Sequence, residues 1–176
     1  FLTSRPNVHY PTSEEREFAE IRFLDYFLFS YSSSHYGMTP LEVFLSRKLP
    51  DFNKKDKEIY LGFKSHIYSA FEVLKVAIGS HFIAKDLSSD KVYKVRENKG
   101  TYQLEEGDLI IAGILPYEKD YALSHFSLFI PRDASYLTKR EWKRMSPEDK
   151  KSSTPYYWRE IYIREKKERQ RMTWKW

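Results

Sequence analysis

Apolar positions in this chain change their spacing twice, and the changes divide it into three parts. Up to residue 68 they recur every three or four residues, the helical period. Over 69–133 they alternate or run together in short bursts between turn residues. From 134 to 176 the helical spacing returns. In the first part a helix is expected over about 13–31, with Phe18, Ile21, Leu24, Leu28 and Tyr31 as its buried stripe. Phe23, Phe27 and Phe29 widen that surface, so the helix should pack on two sides. "YSSSHYG" breaks it. A short helix over 39–47 turns Leu41, Phe44 and Leu45 inward, and a third over about 54–65 presents Ile59, Tyr60, Phe63 and Ile67.

The middle part reads as strands. "SAFEVLKVAIG" alternates with a break in phase near Val73, and "SHFIAKDLSSDKVYKVRE" is a hairpin turning at 87–90. In "EEGD", Gly107 supplies a left-handed backbone position. "LIIAGILP" is an apolar strand that "YEKD" turns into "YALSHFSLFI". The expected fold is α+β: N-terminal helices packed on a small antiparallel β barrel or bent sheet, followed by C-terminal helices, forming one compact domain plus a tail.

Helix starts share one grammar. Thr12 with Glu15, Thr39 with Glu42 and Thr138 with Glu141 have capping-box spacing, and Ser146 with Asp149 is a looser match. Pro40, Pro147 and Pro155 suit a first helical position, where a missing N–H costs nothing. The last helix, over about 155–172, carries Trp158, Ile161, Tyr162 and Glu165 on one side.

Residues 71–131 resemble a β module of uncharacterised bacterial proteins, some of which also carry the SEC-C zinc motif. The positions that carry the resemblance are Gly79, Asp86, Tyr93, Val95, Arg96, Glu97, Gly107 and Asp108. The resemblance implies a fold and not an activity. The zinc motif needs cysteines that this chain lacks, so no zinc is carried over.

Composition sharpens this outline. Aromatic residues make up 17% of the chain, enough ring surface for a packed core. With no cysteine, disulfides, thiolate metal sites and cysteine nucleophiles are excluded, which fits a cytoplasmic protein. "FLDYFLF" is too short to span a membrane, and no secretory signal is expected. The net charge of +5 is uneven: residues 138–176 hold 13 Lys+Arg against 6 Asp+Glu, while the rest of the chain is slightly acidic. This asymmetry points to an anionic partner.

The catalytic chemistry is thin. No two histidines lie at helical ligand spacing. His81 and His125 both flank Phe residues in strands and could meet across the sheet, but a third ligand is missing. Glu105, Glu106 and Asp108, like Asp86 and Asp90, fall at turns. "SYSSSHYG" has no nucleophile elbow, and the chain has no phosphate-binding glycine loop. No cofactor, metal or catalytic residue is expected.

The basic end carries the leading reading, a non-catalytic binding protein that associates with RNA or a ribonucleoprotein. Arg159, Arg164, Lys166, Lys167, Arg169, Arg171 and Lys175 would contact phosphates, and Trp174 and Trp176 would stack on bases. Lys85, Lys91, Lys94, Arg96 and Lys99, with Tyr93 and Tyr102, gather at the first hairpin, but interleaved carboxylates leave that field near neutral. The alternatives are a protein-interaction module that docks a partner through exposed aromatics, and an enzyme using His81 or His125.

Overall fold

The computed structural model describes residues 13–132, 135–153, 157, 158, 160, 161, 163, 164 and 167, excepting the side chains of 14, 15, 18, 125 and 126. Three helices come first: α1 (Ser13–Phe29), α2 (Pro40–Lys48) and α3 (Lys54–Gly62). The strands β1 (Ile67–Ala77), β2 (His81–Asp86), β3 (Val92–Arg96), β4 (Leu109–Tyr117) and β5 (Asp120–Ile130) follow. Then come α4 (Tyr136–Arg144) and α5 (Pro147–Ser152), and the described residues from 157 to 167 are again helical.

The strands close into a barrel in the order β1-β2-β3-β5-β4, with β4 paired back to β1. All pairings are antiparallel except β3 with β5, which is parallel through Val95–Tyr121 and Arg96–Ala122. Five strands in a Greek-key barrel are also the plan of the OB fold. Closure removes the free edges that a sheet of this size would expose.

Two cores follow from the alternation along β4. Ile110, Ala112 and Ile114 point into the barrel, where they meet Phe71, Val73, Phe82 and Val95. Leu109 and Ile111 point out, into a second core with Ala70, Ile130, Leu137, Trp142, Trp158 and Ile161. β4 is therefore buried on both faces, which is why it reads as an unbroken apolar run. The phase break near Val73 is a register shift between Val73 and Lys75 in the β1–β2 pairing. The "EEGD" turn is stitched to it: Gly107 N donates to Val73 O (2.8 Å) and Val73 N to Asp108 O (2.9 Å). Gly107 sits at φ +92°, the left-handed position expected of it.

The capping box at Thr39 and Glu42 is present in full, and Ser146 caps α5 by accepting from Asp149 N. Thr12 and Thr154 lie outside the described residues. Thr138 is not a cap. It lies fully buried within α4, whose N-cap is Ser135.

The α1 stripe is a clear departure from expectation. Leu24, Leu28 and Tyr31 are exposed (55%, 41% and 41%), whereas Ala19, Arg22 and Asp25 on the other side are buried. Apolar residues surround the second half of α1, so periodicity alone cannot choose the inward face. The barrel side is settled by a polar set that is mutually paired. The Arg22 guanidinium lies 3.6 Å over the Tyr68 ring, pairs with Asp25 at 3.5 Å, and donates to the Lys151 carbonyl. Phe44, also expected inward, is likewise exposed.

Candidate nucleic-acid interface

The C-terminal helices are held by two tryptophans. Trp142 of α4 and Trp158 are both fully buried, with ring centroids 5.4 Å apart. Their indole N–H groups are spent on fixed hydroxyls: Trp142 Nε1 donates to Ser88 Oγ (2.9 Å) and Trp158 Nε1 to Ser153 Oγ (3.0 Å). Ser88 belongs to the β2–β3 turn, which Asp86 organises by accepting from Ser88 N, Ser89 Oγ and Ser69 Oγ. The turn residues Asp86 and Ser88 thus anchor the basic end of the chain to the barrel.

With Trp142, Trp158 and Ile161 turned inward, the cations are left outside. Lys143, Lys151, Arg164 and Lys167 are exposed and form no ion pair among the described residues. Lys139 is committed to Glu72 at 2.7 Å, and Lys150 lies 5.5 Å over the Trp142 ring. Arg159, Lys166, Arg169, Arg171, Trp174, Lys175 and Trp176 lie outside the described residues. Lys143 and Lys151 were not singled out from sequence. Their signal was present in the charge count of 138–176.

The β2–β3 face carries cations too; Lys91 and Lys99 are exposed without an ion pair among the described residues, but the other three are committed. Lys85 pairs with Asp90 at 2.7 Å, Lys94 with Asp120 at 3.2 Å, and Arg96 with both Asp120 (3.2 Å) and Glu118 (2.9 Å). The Lys85 hydrogen bond and charge hold the Asp90 carboxyl below the usual range. Burial alone would raise the Asp120 carboxyl, but its hydrogen bonds and charge contacts with Lys94 and Arg96 outweigh this and lower it. Tyr93 turns toward the barrel interior, where burial pushes its phenol up and Tyr121 packs edge-on at 4.9 Å. Tyr102 is 69% exposed.

His81 and His125 do not sit on adjacent strands. β3 separates β2 from β5, and His81 Nδ1 lies 3.0 Å from Ser80 Oγ. The histidine that does find polar company is His66, just before β1. It stacks on Phe29 at 4.1 Å, and its Nε2 lies 3.4 Å from Asp25 Oδ2. A Cβ at Gly113 would collide with His66 Nε2 and Ser124 Oγ and stand 3.1 Å from Asp25 Oδ2. Serine, histidine and aspartate thus converge, but a relay must use both ring nitrogens, one for each partner. Here Asp25 Oδ2 lies 3.4 Å from Nε2 beneath α1, and neither Nε2 nor Ser124 Oγ has a hydrogen-bond partner among the described residues, so no relay is formed and the cluster joins helix to barrel. Among the described residues no three His, Cys, Asp or Glu side chains gather as a metal site, and no helix is long and apolar enough to cross a membrane.

The chain belongs to the DUF7986 family, a family of unknown function, whose model matches residues 8–174. No curated protein and no solved structure matches it.

Proposed function

We propose that this protein is a non-catalytic binder of RNA or of a ribonucleoprotein, and that its C-terminal helices form the phosphate-binding platform. The observation that carries the reading is the division of labour around Trp158. Its buried indole fixes the helical segment to the barrel, while Arg164 and Lys167 of that segment stay exposed without carboxylate partners among the described residues. A platform fixed in advance binds without paying to order itself. The fold supports the reading by analogy only, since OB barrels serve as oligonucleotide binders and also host other functions.

The test is binding of labelled mixed-sequence single-stranded and duplex RNA by the full chain, across a salt series. Phosphate binding predicts affinity that falls steeply with salt. The double variant Arg164→Glu, Lys167→Glu should bind more weakly, with a log–log salt slope shallower by about two. No binding at low salt, or binding indifferent to salt and to the double variant, would overturn the reading in favour of docking through exposed aromatics.

A further inference from the structure

α1 is built inside out. In an α-helix each residue advances by about 100°, so Glu17, Glu20, Leu24 and Leu28 share one stripe, and Arg22 and Asp25 lie on the opposite side; Tyr31, just past the helix, stacks on Phe27 at 5.7 Å. The polar side is buried against the barrel and the apolar stripe faces out, with Leu24 the most exposed of its hydrophobics at 55%. Beyond the end of the stripe the chain folds back through α2 and forms an open groove of about 510 Å³. Phe27, Tyr31, Tyr36 and Phe44 line it, and Arg47 stands at its rim. The Arg47 guanidinium lies 5.9 Å over the Tyr36 ring and has no carboxylate partner among the described residues. At the other end of the stripe Glu17 is exposed and likewise unpaired among the described residues.

We propose that this stripe is a dimer interface, in which two copies of the chain pair their α1 helices antiparallel about a two-fold axis. The stripe is self-complementary in apolarity and in charge. An axis level with residue 26 sets Leu24 of one copy against Leu28 of the other. Glu17 then stands about 13 Å from the axis. On that side the other copy presents the turn after α1, with Tyr36 and Arg47. Each acidic helix start thus meets the basic groove rim of its mate, twice over, as an isologous contact requires. A parallel pairing would set acid against acid and base against base. The aromatic rings at Tyr31 and Tyr36 beside an arginine are the residue types that anchor protein interfaces.

Sedimentation equilibrium of the full chain tests this directly. The expected mass is twice the 21.2 kDa of one chain, falling to one chain on dilution. Leu24→Glu with Leu28→Glu should give the single-chain mass at every concentration, with an unchanged circular dichroism spectrum, because both side chains are exposed in one copy. Glu17→Arg and Arg47→Glu should each weaken the dimer roughly fivefold, since each exposed pair is counted twice. The two together should restore it, a readout that does not depend on the leucine variant folding. A single-chain mass for the wild type throughout would overturn the proposal, whether residues 1–12 or another protein covers the stripe. So would a dimer that persists in the leucine variant, or charge variants whose combination fails to rescue.

Discussion

Gly113 shows how much one missing side chain can decide. It occupies an outward position on β4, between the inward Ala112 and Ile114, and the β4–β5 register shifts across it. The space it leaves is shared by His66, Ser124 and Asp25 of α1. Gly113→Ala would force these groups apart and should lower stability by about 1–3 kcal/mol in urea denaturation. An unchanged midpoint would show that the cluster yields freely. At this scale the sequence was partly legible. Gly107, the Thr39–Glu42 box and the break at Val73 could all be read, because each acts through its immediate neighbours. The meeting of Asp25, His66 and Ser124 could not, because three distant segments bring it about and each residue looks ordinary alone. The same limit hid the inward turn of Arg22.

Between elements, the least conventional joint is β3 with β5, among the described residues the one parallel pairing and the one with the shortest register. Asp120, at the start of β5, clamps it by taking both Lys94 and Arg96 of β3. Its carboxyl is held below the ordinary range in the folded chain, so its stabilising contribution is complete above that range. It is lost as pH falls through the lowered value, below about pH 4. Asp120→Asn should therefore lower the thermal midpoint at neutral pH and flatten its decline on acidification. Parallel acid profiles for the two proteins would rule the clamp out. The strands and their turns were readable because apolar spacing and turn residues mark them locally. The closure was not, since no pattern within β3 or β5 announces that they pair. The parallel joint arises because β4 inserts between β5 and β1.

Over the whole molecule, the described helices pack mainly against β1, β4 and β5. The outward row of β1, β4 and β5 is apolar and receives Leu137, Trp142 and Trp158. Trp158→Ala should cost about 3–5 kcal/mol in denaturant unfolding and should weaken RNA binding through loss of the platform. Arg164→Glu with Lys167→Glu should weaken binding while leaving the unfolding midpoint in place. If Trp158→Ala left both quantities unchanged, the C-terminal segment would not be anchored as described. The charge asymmetry that leads to this platform was plain in the sequence, because it needs only counting. Which cations are free was not, since Lys94 and Arg96 look as available as Lys143 until their carboxylates are located. The ring itself bears on how the chain is made. While it emerges from the ribosome, β1, β2 and β3 form a meander with two bare borders, and neither is covered until β4 and β5 follow. At about 5–20 residues per second, that window lasts on the order of seconds. A translational stall after β3 has left the ribosome and before β5 has would hold the nascent chain in its most adhesive form, so yield in the cell should depend on the pace of synthesis in that window more than at either end.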